Sequence, residues 1–199
     1  TIQGWAPATI DMISSSREIF LKLDEVLDVN IEESETSEGL NNFAVAQSIQ
    51  VTTSGFSYFP NNYYQLGSDI FISKDFSKPL FLSNTITNYD YEILVHEIGH
   101  ALGLKHPFES DRNNSSVLTP VEDNTQYTAM SYNHAEDTFD GTFRYLDWMT
   151  LTKFYGVNPE FQPGDDVYKF DDGVGKFIID GNGIDTVDMS GSAKDIFLD

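Results

Sequence analysis

Residues 96–106 read HEIGHALGLKH and hold three of the four histidines in the chain. His96 and His100 are four residues apart, so on a helix they stand on one face about one turn apart, and both imidazoles reach the same point. Such a pair suits one metal ion. Glu97 is rotated by about 100° from His96, which puts it beside the pair and not in it. It can meet a water at the metal without being a ligand. Gly103, three residues past His100, can adopt the left-handed conformation that ends a helix, and the turn it allows lets His106 approach the same point from a new direction. Three neutral imidazoles with an open fourth position make a catalytic zinc site, so this stretch predicts zinc on His96, His100 and His106 with Glu97 at hand as a base. The fourth histidine, His134, has no such spacing and reads as a surface or hydrogen-bonded residue.

The surroundings of the motif put it on a helix. From about Asn88 to Leu102 the period is helical, with Ile93, Val95, Ile98 and Leu102 available to pack and Asn88 or Asp90 able to cap. Further upstream, Met12, Ile13, Ile19, Phe20, Leu23, Val26 and Leu27 recur at helical spacing. Ser15 with Glu18 has the spacing of a capping box, so this first helix ends near Leu27 and starts near Ala8 or near Ser15. Between the two helices lie four short segments in which aromatic and β-branched residues alternate with polar ones: DVNIEE (28–33), NFAVAQSIQV (42–51), SGFSYFP (54–60) and SDIFIS (68–73). They read as four strands of one sheet. Pro60 closes the third, and proline is tolerated at strand ends and edges, so SGFSYFP is the expected edge strand.

Composition limits what the fold can serve. The 199 residues suffice for one main core, and 40% hydrophobic with 14% aromatic content lets the chain fold despite 32 acidic against 11 basic residues. The resulting charge of -21 lies on the surface and repels nucleic acid and anionic membranes, so neither is an expected partner. It serves solubility, a salty habitat or calcium binding. Cysteine is absent, which excludes disulfides and thiolate chemistry. No apolar run has the roughly 20 residues of a membrane helix, and TIQGWAPATI is not a signal peptide, so the chain reads as soluble.

The extended signature HExxHxxGxxH resembles that of the metzincin metallopeptidases, and other segments resemble their serralysin branch. YTAMSYN (127–133), whose Met130 lies twenty-four residues beyond His106, is similar to the Met-turn, and LDWMTLTKFYGVNP (146–159) is similar to the closing helix and the YGxN after it. SGFSYFP and SDIFIS fall where serralysins have their edge strand and the strand that follows. The resemblance implies an α+β metzincin fold: a twisted, largely parallel sheet with an antiparallel edge strand, the active-site helix, and a lower subdomain with His106, the Met-turn and the last helix. It implies Met130 packed beneath the metal, as befits a neutral thioether, and Tyr132 near the zinc as an oxyanion donor. It implies a secreted zinc endopeptidase acting as a monomer on extended polypeptides. A strand before the first helix also belongs to the family pattern, and here the helix begins almost at once.

After YGVNP the composition changes. PGDDVYKFDDG and DGNGIDTVDMSG are rich in Asp, Gly and Asn, and DGNGIDTVD differs from the calcium nonapeptide GGxGxDxUx in having Asp180 at its first position. The expected division is residues 1–158 as the zinc peptidase domain and 159–199 as the beginning of an RTX-type calcium β-roll, cut short because such a roll needs several stacked turns. By resemblance, calcium would be held from two successive turns by Gln162, Gly164 and Asp166, then Asp180, Asn182 and Asp185. A different class of function shares these features: a calcium-stabilised module of a larger RTX adhesin whose zinc domain cuts little. Glu97 separates the two, because a domain relieved of catalysis has no need of a base beside the ligands.

Overall fold

The computed structural model describes residues 2–35, 42–74, 88–110, 112, 114–135, 142–170 and 176–195. A two-residue strand, β1 (Ala6–Pro7), precedes the first helix, α1 (Ile10–Val26). Thr9 caps α1, its side-chain oxygen accepting from Met12 N at 3.2 Å, so of the two possible starts the one near Ala8 is realised. The proposed Ser15 and Glu18 box is not a cap: Ser15 lies inside the helix on its buried face, with Met12, Ser16, Ile19, Leu23 and Val26. Strands β2 (Val45–Ser48), β3 (Gly55–Ser57) and β4 (Ile70–Ser73) fall inside three of the expected segments.

The fourth expected strand is absent. Residues 28–33 form no strand because other groups satisfy their backbone: Asp28 N donates to Gly156 O at 3.3 Å and Ile31 N to Asp24 Oδ1 at 2.7 Å. The alternation there is still used, since Val29 and Ile31 pack against the core. β1 completes the sheet in its stead, which restores the strand before the helix.

The sheet order is β1-β2-β4-β3. Its central pair, β2 with β4, is parallel, and β1 and β3 are each antiparallel to their neighbours, so parallel pairing within the described part of this sheet is confined to its centre. β4 is buried along its whole length, while β3 stands at the edge with Phe56 opposite Phe71 and their rings stacked at 5.0 Å. Helix α2 (Asn88–Ala101) runs beside β3 and sends Leu94, Val95, Ile98 and Ala101 into a core shared with Met12, Leu23, Ile70 and Ile72. The residue before Asn88 lies outside the described set, and Asp90 sits in the first turn.

Beyond α2 the chain runs through turns to α3 (Tyr145–Tyr155). That helix is locked at its C-terminal end. The Tyr155 hydroxyl donates to Leu102 O at 2.7 Å, and beyond Gly156 the chain bridges Val157 to Leu27 and donates from Asn158 N to Val26 O. The segment after it forms two short parallel strands, β5 (Val167–Lys169) and β6 (Thr186–Asp188). No described helix is long and apolar enough to cross a membrane.

Candidate metal centre

Gly103 sits at φ +99°, in the left-handed region where a side chain is strained, and α2 closes there through Gly103 N to His100 O and Leu104 N to Gly99 O, both 2.9 Å. The chain reverses and brings His106 back. Its Nε2 lies 3.2 Å from His96 Nε2 and 3.0 Å from His100 Nε2. The three expected ligands therefore meet at one point.

The outer ring nitrogens decide what the inner ones offer. His96 Nδ1 is 2.8 Å from Ala129 O, and His100 Nδ1 is 2.7 Å from Leu104 O. A carbonyl only accepts, so both Nδ1 atoms carry the proton and both Nε2 atoms present lone pairs. His106 Nε2 can donate to one of them and not both. A cation satisfies all three. His106 Nδ1 has Glu109 Oε2 at 3.0 Å but off the N–H direction, so that contact is electrostatic and not an aligned hydrogen bond. Burial holds His96 down at about 3 and His100 at about 4, so at neutral pH protons do not compete for their ligand nitrogens. The donor set fits zinc.

Glu97 stands beside the triad. It is 4% exposed, and burial raises its pKa to about 7 while the hydrogen bond from Ser57 Oγ to its Oε2, at 2.9 Å, opposes the rise. The edge strand leaves room for it only because residue 55 is glycine: a Cβ there would lie 2.8 Å from Glu97 Oε1 and 2.9 Å from its Cγ. Tyr132 is on the open side, 61% exposed, with its ring 4.7 Å from that of His106 and 5.6 Å from that of His96. Burial raises its pKa, helped by the charges of Glu97 and Glu109, so the hydroxyl keeps its proton. Phe108 stacks on His106 at 5.1 Å and Phe59 meets His100 edge-on at 5.6 Å, so each ligand ring has an aromatic neighbour.

Met130 is buried, and its Sδ is 2.6 Å from where a Cβ at Gly99 would stand, so it packs directly beneath the helix turn between His96 and His100. What holds the turn in place is Asp147, a residue the sequence reading did not single out. Its carboxylate accepts from Thr128 Oγ1 at 2.6 Å, Ala129 N at 2.7 Å and Arg144 N at 2.9 Å. The same Ala129 fixes His96 through its carbonyl. The signal available was an acid three residues after the cap of α3, which pairs with the cap N–H. Burial pushes the Asp147 pKa up, and the three hydrogen bonds oppose it.

Between β3, α2 and the turn around Met130 lies a cavity of about 330 Å³, bounded by Thr52 to Gly55, by Glu92, His96 and Glu97, and by Ser131 and Tyr132. His134, expected on the surface, is half-exposed and lines it too.

The six residues assigned to calcium lie on two turns. The carboxylates of Asp166, Asp180 and Asp185 come within 4.8 Å of one another. Asp185 Oδ1 accepts from Asp166 N at 2.9 Å, and Asp180 accepts from Asn182 N and from the Tyr168 hydroxyl, which also bonds Gln162 Oε1. The Gly164 carbonyl lies against Gly183, so the turns touch through their backbones.

A peptidase family model described as pregnancy-associated plasma protein-A matches residues 30–174. Serralysin from Proteus mirabilis is 32% identical over 176 residues, covering 74% of this chain and 36% of that protein. Serralysin C from Dickeya chrysanthemi is 28% identical over 166 residues, 70% of this chain and 34% of its own length. Metallopeptidase AprA from Pseudomonas marginalis is 30% identical over 135 residues, 53% and 28% respectively. The chain thus spans about a third of the length of the curated relatives it matches.

Proposed function

This chain belongs to the peptidase family whose model covers most of it, as a serralysin-type metallopeptidase, and from that premise we propose that it is a secreted zinc endopeptidase cutting internal bonds of extended polypeptides. The observation that carries the reading is the convergence of three imidazole Nε2 atoms, His106 lying 3.0 and 3.2 Å from the other two, beside the buried Glu97 and a strand that is the sheet's edge among the described residues. His96, His100 and His106 hold the zinc, which when bound acts as a Lewis acid on the scissile carbonyl and acidifies water.

Glu97 is the general base. Ser57 orients its carboxylate, and a pKa of about 7 suits it to take a proton from the attacking water at neutral pH and pass it to the leaving amine. Tyr132 donates its hydroxyl to the developing oxyanion. Met130 and Asp147 act through packing and hydrogen bonding, setting His96. The substrate adds as another strand to the side of β3 that pairs with no strand among the described residues, using main-chain hydrogen bonds, so it must be extended across several residues. An adhesin module that cuts little would have no use for a glutamate kept dry under Gly55 and Ser57.

Residues 1–158 form the peptidase domain and 159–199 begin a calcium region, in which Asp166, Asp180 and Asp185 supply carboxylates and Gln162, Gly164 and Asn182 supply carbonyls. Ca²⁺ takes 6–8 oxygen ligands, and this set contains nothing else. Its presence would order two turns whose acids otherwise repel.

The test of the enzymatic reading is Glu97→Gln. The variant is expected to bind zinc as the parent does and to lose nearly all hydrolysis of an unstructured protein such as casein, while the parent is silenced by a chelator and restored by zinc. Substantial chelator-sensitive hydrolysis by the variant overturns the assignment.

A further inference from the structure

The far end of the cavity has no part in the mechanism above. It is built by Tyr89, Glu92 and Ile93 on α2 and by His134 beyond the Met-turn. Glu92 stands four residues before His96, about one turn away on the same helix face. It is 8% exposed, and no hydrogen bond reaches its Oε2. His134 Nδ1 is 3.8 Å from that oxygen, beyond hydrogen-bond distance. Arg144 lends charge from behind, with its Nε given to Thr125 O at 2.8 Å. A buried carboxylate oxygen left this way is costly, and a cation entering the cavity offsets that cost.

The geometry supplies such a cation's route. Side chains of a strand added to β3 alternate between its faces, so one residue flanking the scissile bond points toward the cavity beside His96. About 330 Å³ is near the lower end for ligand pockets and suits a single side chain. The charge of -21 draws basic polypeptides toward the protein as a whole.

We propose that Glu92 is a specificity-determining residue that selects substrates with lysine or arginine at the position entering this cavity. The inference rests on the peptidase reading. It is tested with the zinc-loaded protein and peptides that carry lysine, arginine, norleucine, citrulline or glutamate at each position flanking the cut.

The expected result is one position at which lysine and arginine exceed norleucine and citrulline in kcat/KM on the order of tenfold, the size of a hydrogen bond to a charged group. Glu92→Gln is expected to bring that ratio close to one, and Glu92→Asp to retain part of it. The readout is a ratio within each protein, so a general loss of activity cancels. Fluorescence anisotropy of the same peptides gives the binding order without turnover. Peptides that bind in this order but are never cut would remove the peptidase reading and leave the Glu92 assignment standing. Equal binding and cleavage of lysine and norleucine peptides, or a Glu92→Gln variant that keeps the parent's ratio, overturns it.

Discussion

The three histidines and the three aspartates each bring their ligand atoms within 4.8 Å of one another, yet folding assembles the two clusters by different means. Burial keeps His96 and His100 neutral, and main-chain carbonyls hold both through Nδ1. They can gather before any ion arrives. The aspartates are partly or fully exposed and like-charged, in a chain already at -21, and a few backbone N–H groups and one tyrosine hydroxyl hold them. An ion has more left to do there. The difference teaches that neutral donors let a fold prepare a metal site in advance, whereas carboxylates leave the site's order coupled to the ion.

The largest effect should come from removing a prepared ligand. His106→Ala is expected to weaken zinc binding on the order of a hundred- to a thousandfold, since structural zinc sites spread a binding free energy of about 10–16 kcal/mol over four ligands. Competition with a chelating dye measures it, and an affinity within tenfold of the parent would mean that His106 is no ligand.

Loosening the preparation without touching a ligand comes next. Asp147→Asn points an amide donor at Thr128, Ala129 and Arg144, all of which already donate. The expected cost is about 2–4 kcal/mol, or roughly 5–15 °C in Tm. Zinc affinity should fall about 10- to 100-fold, because Ala129 no longer orients His96. Unchanged affinity with a lowered Tm would show that the histidines do not depend on the Met-turn anchor.

Tyr132 sits on the open side of the same centre, and the role proposed for it bears on turnover alone. Tyr132→Phe is expected to lower kcat by roughly tenfold with KM little changed. Steady-state kinetics on one peptide decides it, and an unchanged kcat sinks the oxyanion role.

Calcium should act most gently. At about ten times its dissociation constant it stabilises by roughly 1.4 kcal/mol, a few degrees in Tm. Calorimetry should find Tm rising with free calcium, less so in Asp185→Ala, and amide exchange should slow in residues 159–195 but not in α2. Equal protection of both regions would erase the contrast between the clusters.

Much of this was legible from local periods. A four-residue repeat of histidine on a helix and a glycine three residues later fix the spacing through helix geometry alone, and the four expected packing residues, Ile93, Val95, Ile98 and Leu102, all enter the core, joined there by Leu94 and Ala101. Strand alternation located β2, β3 and β4 but misread residues 28–33, because alternation reports a half-buried segment and cannot say whether a strand lies beside it. Two-residue β1 is too short to leave any pattern.

The sequence by itself thus determined which three histidines converge, the glutamate beside them and the helix that carries His96, Glu97 and His100. Only the tertiary structure decided that Ala129 O, 33 residues from His96, sets its tautomer, that Ser57, 40 residues from Glu97, orients that carboxylate, and that Glu92 lines the cavity beside them. The physical reason is range. Helical spacing follows from bonds within one turn, whereas a hydrogen bond between distant segments exists only once the core has packed them side by side.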